Sequence, residues 1–166
     1  ISERPPEVED RAIPGHWEGD LISGSGNTHI ATLVERRSRF TVLVKVDGKD
    51  TKTVIRALTR EVKRLPSVLR QSLTWDRGSE LADHKKFSVA TDVQVYFCDP
   101  SSPWQRGTNE NTNRLLRQYF PKGTDLSVHS QRELNAVAKQ LNQRPRKILG
   151  YNIPANKFYE GVASTG

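Results

Sequence analysis

The sequence has one cysteine, no methionine and few aromatic residues. Because Cys98 is the only cysteine among 166 residues, the chain cannot form an internal disulfide, which favours a reducing compartment. A cysteine-based zinc site is disfavoured for the same reason, and no metal-ligand spacing links the four histidines, His16, His29, His84 and His129. Cys98 is therefore predicted to be a buried residue at a strand end, not a catalytic thiol.

Long apolar runs are also missing. No stretch approaches the roughly 18 to 20 apolar residues of a membrane span, and no secretory signal opens the sequence. Hydrophobic residues make up 34% and the mean hydropathy is -0.68, so we expect a soluble, cytoplasmic chain with no membrane partner. The length suits one domain, and the lack of an initiating methionine indicates a piece of a longer protein.

Charge is unevenly distributed along the chain. Lys and Arg number 26 against 19 Asp and Glu, which gives +7. The first twenty residues hold six acids and two arginines, a net charge of -4, so the remainder carries +11. A basic body favours a polyanionic partner, because each neutralised phosphate releases a counterion. Charge alone does not identify an enzyme.

The first half of the sequence predicts a linker, a three-stranded meander and a helix. Residues 1–14 are rich in proline and charge and read as a linker, and the domain is predicted over 15–163. Alternating apolar residues and the Gly-Ser-Gly-Asn turn at 24–27 predict strands at Trp17–Ser23, His29–Glu35 and Phe40–Val46. A helical period follows over Thr51–Leu65. The basic face of this predicted helix is interpreted as exposed to solvent, and the alternative is that it binds in a DNA groove.

The second half predicts strands that alternate with helices. Strands are expected at Leu69–Trp75 and Val93–Cys98, with a helix at Glu80–Ala90 between them and a loop at Pro100–Arg106 after them. Two helices follow, one at Gly107–Phe120 capped near Thr108 and one at Ser130–Asn142 capped at Ser130. A meander followed by alternating units predicts an α/β fold, a mixed five-stranded sheet flanked by helices.

Three acidic residues lie where the predicted elements would present them to a ligand. Asp20 is in mid-strand, Asp76 ends a strand and Glu110 is in the first turn of a helix. Taken singly, each has a structural explanation, respectively a solubilising residue on an edge strand, a turn former and a helix-start residue. Together they would repel one another without a cation. Two Mg²⁺ ions, or Mn²⁺, would remove that repulsion and support in-line displacement at phosphorus, with Asp20 as the bridging ligand.

The sequence around Glu110 adds polar and basic residues. Candidate DNA contacts are Trp104, Gln105, Arg106, Asn109, Asn113, Arg114, Arg117 and Lys122. The helical period puts Glu110, Asn113 and Arg117 on one face. Structural alternatives remain open, because the asparagines can cap the helix and Trp104 can pack against the sheet rather than stack on a base.

The chain resembles bacterial transposases of the insertion-sequence-thirty type from about Ile13 to about Gly161. The most specific blocks are Gly15 to Ile22, Leu73 to Glu80, and Tyr96 to Ser127, which contains the run from Tyr119 to Leu126. The resemblance implies an RNase H-like fold similar to the retroviral integrase core, with Asp20, Asp76 and Glu110 as the DDE triad. The 33 residues between the last two acids suit the family. Arg114 departs from it, because a small glycine is expected there.

The resemblance also sets the expected function and partners. It implies metal-dependent cleavage of DNA at transposon ends and strand transfer into target DNA, by a homo-oligomer on paired ends, close to the bacterial nucleoid. The family's N-terminal helix-turn-helix region is not in this sequence. Gln143 to Lys147 resembles a terminal block of the family that would bind target or flanking DNA, unless it is simply solvated. The alternatives are an inactive DNA-binding protein and an RNase H-like nuclease without strand transfer.

Overall fold

The described part of the chain folds as five strands and five α-helices. The computed structural model describes residues 13–75, 84–97, 107–146 and 149–165, with residues 51, 107–110 and 161–165 described by their backbone alone. The strands are β1 His16–Ser23, β2 His29–Glu35, β3 Thr41–Val46, β4 Ser72–Trp75 and β5 Gln94–Phe97. The helices are α1 Thr51–Val62, α2 His84–Thr91, α3 Gly107–Leu116, α4 Gln131–Asn142 and α5 Pro154–Thr165. Within these ranges, no helix has the length and apolar character needed to cross a bilayer.

The five strands form one mixed sheet in the order β3-β2-β1-β4-β5. Strands β1, β2 and β3 pair antiparallel, as a meander joined by short turns would. Strand β4 pairs parallel with β1, and β5 pairs parallel with β4. The predicted mixed five-stranded sheet is confirmed. Because β1 is the central strand, the alternative reading of Asp20 as a solubilising residue on an edge strand is wrong.

Each face of the sheet carries its own core. Trp17, Leu33 and Val44 belong to one face, where Leu58 of α1 and Phe87 of α2 cover them. The opposite face is covered by α3 and α4, through the cluster Ile22, Ile30, Leu43, Leu116, Phe120, Leu126, Leu134, Ala138 and Leu141. Residues two apart on a strand share a face. Asp20 therefore lies on the side of α3 and α4, between Glu18 and Ile22.

Several predicted boundaries are wrong by a few residues. Helix α1 ends at Val62 and not at Leu65, because Pro66 disfavours helical geometry in the residue before it. Strand β4 begins at Ser72, since a 3-10 turn occupies Ser67–Leu69. Leu69 is fully buried there, and its carbonyl oxygen accepts a hydrogen bond from the indole of Trp17 at 2.8 Å, so its apolar character reflects packing and not strand structure.

The boundaries of the remaining elements also differ from prediction. Helix α3 ends at Leu116, since the next residues form a tight turn that directs Phe120 into the core. The described start of the same helix, Gly107, is the predicted one, and the side chain of the predicted cap at Thr108 lies outside the described residues. The predicted strand Val93–Cys98 is described as Gln94–Phe97. Predictions for Cys98, for the loop Pro100–Arg106, for the start of the helix at Glu80 and for most of the linker 1–14 lie outside the described residues.

Sequence patterns located helix α4 well and missed α5. The predicted cap at Ser130 is confirmed, because its side chain accepts a hydrogen bond from the backbone N–H of Glu133 at 3.1 Å. Helix α5 was not predicted at all. It is held by Phe158, whose ring stacks on Phe40 with 4.1 Å between centroids and meets Trp17 edge-on at 5.9 Å.

Candidate active site

Asp20 is the one residue of the predicted triad whose side chain is among the described residues. It lies half-buried on the central strand, opposite Thr32 of β2. Its Oδ1 accepts the backbone N–H of Leu21 at 2.8 Å, and its Oδ2 accepts a hydrogen bond from Nδ2 of Asn113 at 3.2 Å. The carboxylate is therefore held from the sheet on one side and from helix α3 on the other.

Helix α3 lies along β1 through residues one turn apart. Asn113 reaches Asp20, and four residues later Nη2 of Arg117 donates to the carbonyl oxygen of Ser23 at 3.2 Å. Nη1 of Arg117 also donates to the carbonyl oxygen of Phe120 at 3.3 Å. These contacts confirm that positions 113 and 117 share the face turned toward β1, as the helical period predicts. The half-buried Arg117 thus links the helix to the sheet. This is a structural role, whereas the sequence predicted a DNA contact.

The predicted position of Asp76 follows directly after the described part of β4. The β1–β4 register ends with Gly19 opposite Trp75, and the residues that follow these two in the sequence are the two predicted aspartates. Asp76 itself lies outside the described residues. For Glu110, the backbone is described as part of α3 and the side chain is not.

A buried polar layer continues from Asp20 along the same face of the sheet. Glu18 is fully buried, and its Oε2 lies 3.3 Å from Nε of Arg36, which is 2% exposed. Thr32 and Thr74 are fully buried beside this pair on neighbouring strands. Arg36 was not predicted from the sequence. An arginine in a turn between strands resembles any surface residue, and only the burial of Glu18 on a central strand would indicate the need for a cation.

The other candidate DNA contacts fall into three groups. Asn109 is described by its backbone in α3, whereas Trp104, Gln105 and Arg106 lie outside the described residues. Arg114 and Lys122 are exposed.

The terminal basic block, Gln143 to Lys147, is described up to Arg146. Gln143 is exposed and Arg144 is half-buried, whereas Arg146 is only 8% exposed. The reading of this block as simply solvated is therefore wrong for Arg146.

The donor chemistry of the site suits a hard cation. Among the described residues no group of three His, Cys, Asp or Glu side chains is close enough to hold a metal ion. Two of the three predicted ligands, Asp76 and the side chain of Glu110, are outside that search. The one described ligand candidate, Asp20, offers carboxylate oxygens, which are the ligands that Mg²⁺ and Mn²⁺ prefer.

The fold is that of a known class of domain. The integrase core domain family matches residues 10–103, more than half of the sequence, and the chain belongs to that family. The chain is 59% identical to the transposase InsI for insertion sequence element IS30A of Escherichia coli strain K12, and 57% identical to the transposase for insertion sequence element IS1086 of Cupriavidus metallidurans. Each alignment takes in 99% of this chain, but only 43% and 49% of those proteins, so the chain spans less than half of either relative.

The structure also resembles a solved integrase core. The crystal structure of the catalytic core domain of BIV integrase superposes with a TM-score of 0.68 over 91% of this chain and 97% of that one, at 16% sequence identity. This likeness establishes the fold. The RNase H-like architecture expected from the family resemblance is confirmed, as is the resemblance to insertion-sequence-thirty transposases.

Proposed function

We propose that the chain is the catalytic domain of a DNA transposase, with Asp20, Asp76 and Glu110 as its DDE triad. The observation that carries the proposal is the hydrogen bond from Asn113 to Asp20. It brings the helix that contains Glu110 onto the central strand that contains Asp20, across 93 residues of sequence. We assign the domain to residues 15–163, after a linker at 1–14.

Register and helical period support the other two acids. Asp76 follows Trp75, which pairs with the residue before Asp20, so regular continuation of β4 brings the two aspartates side by side. Glu110 precedes Asn113 by three residues on α3, and positions three apart share a helix face. Both inferences use backbone geometry.

We further propose that the three carboxylates hold two Mg²⁺ or Mn²⁺ ions. Oxygen-only ligands of this kind fit those cations, and three carboxylates brought together without a cation would repel one another. When bound, the ions would supply the Lewis acidity for in-line displacement at a phosphodiester, first by water and then by a DNA 3'-hydroxyl. The chain's own contribution is positioning, because the amide of Asn113 and the N–H of Leu21 fix the plane of the Asp20 carboxylate.

DNA is the proposed substrate and partner. The relatives are transposases by name, and the chain outside its first twenty residues carries +11. Arg114 and Lys122 are exposed and free to meet phosphates, whereas Trp104, Gln105, Arg106 and Asn109 are assigned to DNA from the sequence alone. Joining two transposon ends would require at least two copies on paired DNA, in the bacterial cytoplasm near the nucleoid.

The experiment is a cleavage and joining assay with supercoiled plasmid and transposon-end duplexes in Mg²⁺ or Mn²⁺. Asp76→Asn and Asp20→Asn are each expected to abolish cleavage and strand transfer while DNA binding, measured in the same buffer, persists. Asp50→Asn is the matched control, because Asp50 is an exposed helix cap and asparagine caps equally well.

The possible outcomes separate the candidate functions. A wild-type chain that binds DNA and leaves the plasmid uncut would indicate a DNA-binding protein that has lost its chemistry. Cleavage without joined products would indicate a nuclease. Wild-type rates in either triad variant would refute the assignment of that carboxylate.

A further inference from the structure

Two arginines beyond the end of α4, Arg144 and Arg146, lie close together with no carboxylate of the described residues beside them. Nη2 of Arg144 donates to Oε1 of Gln118 at 3.3 Å, which brings the segment against the turn that follows α3. Arg146 lies two residues further on and is only 8% exposed. Across the described ranges, no acidic side chain is within ion-pair distance of either guanidinium.

The pair is held at an electrostatic cost. Nη1 of Arg144 is buried and has no hydrogen-bond partner. The pKa of Arg146 is lowered from its ordinary value, first by burial and second by the positive charge of Arg144. A buried cation without a counter-ion destabilises the folded chain, because its lost hydration is not replaced by a partner. The folded chain keeps the pair despite this destabilisation, so the site is suited to an anion that none of the described residues supplies.

The backbone around Arg146 is fixed independently of its side chain. The carbonyl oxygen of Arg146 accepts hydrogen bonds from the N–H of Leu149 at 2.9 Å and of Tyr151 at 2.8 Å. Its own N–H donates to the carbonyl oxygen of Asn152 at 3.0 Å. These three bonds hold the backbone of residue 146 in place, so little backbone entropy is lost when its guanidinium binds.

We propose that Arg144 and Arg146 form a binding site for one backbone phosphate of DNA. A phosphodiester presents two unesterified oxygens, which match the planar fork of donors on a guanidinium, and it supplies the missing negative charge. The proposal rests on the proposed function in taking DNA as the substrate. It assigns these residues a contact outside the triad and does not depend on metal.

The arginine pair lies where a DNA strand that passes the proposed catalytic carboxylates could also reach it. Asn113 contacts Asp20, and Gln118 contacts Arg144. Five residues separate the two contacts along α3 and its final turn, roughly 7 to 8 Å at the helical rise of 1.5 Å per residue. Exposed Arg114 lies between them in the sequence. A DNA backbone at Asp20 is therefore within a few nucleotides of the arginine pair.

The test measures the salt dependence of binding of the 166-residue chain to a short duplex, in metal-free buffer with chelator. Arg144→Gln and Arg146→Gln are each expected to weaken binding and to reduce the slope of log K against log salt by about 0.9, the value for one lost phosphate contact. Arg132→Gln is the control, because Arg132 is exposed in the first turn of α4, roughly 15 Å by the helical rise from the end of the helix beyond which the pair lies.

Slopes for both pair variants that equal the slope of Arg132→Gln would overturn the proposal. Arg146→Lys, which keeps the charge and loses the fork, should retain the slope and lose affinity, and it covers the case in which Arg146→Gln fails to fold. Because the assay contains no divalent metal, its result is independent of the triad. If Asp20→Asn left cleavage intact while the arginine slopes fell, the proposed catalytic residues would be wrong and the phosphate site would stand.

Discussion

Gly19 and the ring of Trp75 are in direct contact between the central strand and β4. A Cβ added to Gly19 would lie 2.4 Å from Cε3 and 2.5 Å from Cζ3 of Trp75, which is fully buried. The two residues are also the last registered pair of β1 and β4, immediately before Asp20 and Asp76. The closeness of the strands at the proposed active site therefore depends on a glycine at position 19.

Gly19→Ala is expected to destabilise the fold by about 1 to 3 kcal/mol, because neither the indole nor the backbone beside it can move without strain. DNA cleavage should fall further than the folded fraction does, since the displaced strands carry the proposed ligands. Urea unfolding and cleavage rates measure the two effects. Gly48→Ala is the control, because its nearest obstacle is an exposed Asp50 side chain at 3.3 Å. An unchanged unfolding midpoint for Gly19→Ala would contradict the close contact.

Asn113→Ala should weaken divalent-metal binding and reduce cleavage by 10- to 100-fold, the usual effect of losing a group that orients a metal ligand. The physical reason is the lost hydrogen bond from its amide to Oδ2 of Asp20. Activity should recover in part at higher Mn²⁺, which a global folding defect would not allow. A metal titration of the cleavage rate measures this.

The matched control for that substitution is Asn156→Ala, which removes an exposed asparagine on α5. Asn113→Asp provides a second check, because a carboxylate beside Asp20 would raise the pKa of at least one of the two acids. Equal metal dependence in Asn113→Ala and Asn156→Ala would show that the amide does not position Asp20.

Local patterns predicted the meander well. The bounds of β2 are the predicted ones and those of β1 differ by one residue, because period-two alternation and a Gly-rich turn are encoded within a few residues. Helix α5 escaped detection because its support is tertiary. One buried aromatic, Phe158, packs on Phe40 and Trp17 from more than a hundred residues away, so the contacts that hold the helix are not encoded near it in the sequence.

The candidate site also has features that local sequence predicts and features that depend on the whole fold. The helical period predicted that Asn113 and Arg117 share one helix face, which the structure confirms. It did not predict that their partners are Asp20 and Ser23. Those pairings depend on how the helix docks on the sheet. The ion pair of Glu18 with Arg36 was missed for a related reason, since burial of an arginine is a property of the whole fold.

Arg36→Met is expected to cost about 3 to 5 kcal/mol of unfolding free energy, because it leaves the carboxylate of Glu18 buried without its cation. The double variant Glu18→Gln with Arg36→Met should be more stable than Arg36→Met alone. Arg64→Met is the comparison, since Arg64 is 71% exposed and 3.9 Å from Glu61, where loss should cost less than about 1 kcal/mol. Equal costs for the buried and the exposed pair would contradict the assigned burial.

Two amide side chains of α4 cover the open edge of β3. Asn142 accepts from the N–H of Thr41 at 2.8 Å and donates to its carbonyl oxygen at 2.9 Å. Gln131 accepts from the N–H of Lys45 and donates to the carbonyl oxygen of Leu43, both at 2.7 Å. The helix thus supplies hydrogen bonds where a sixth strand would otherwise pair, which protects an edge that is prone to association.

Asn142→Ala should destabilise the chain by roughly 1 to 3 kcal/mol, because Asn142 is 5% exposed and its loss leaves the buried N–H and C=O of Thr41 without partners. The double variant with Gln131→Ala should also self-associate, since the freed edge can pair with a second copy. Urea unfolding and light scattering at several concentrations measure the two effects. Gln140→Ala, on the exposed side of α4, should change neither. A double variant that stays as monodisperse as Gln140→Ala would show that these amides contribute stability alone and that another feature guards the edge.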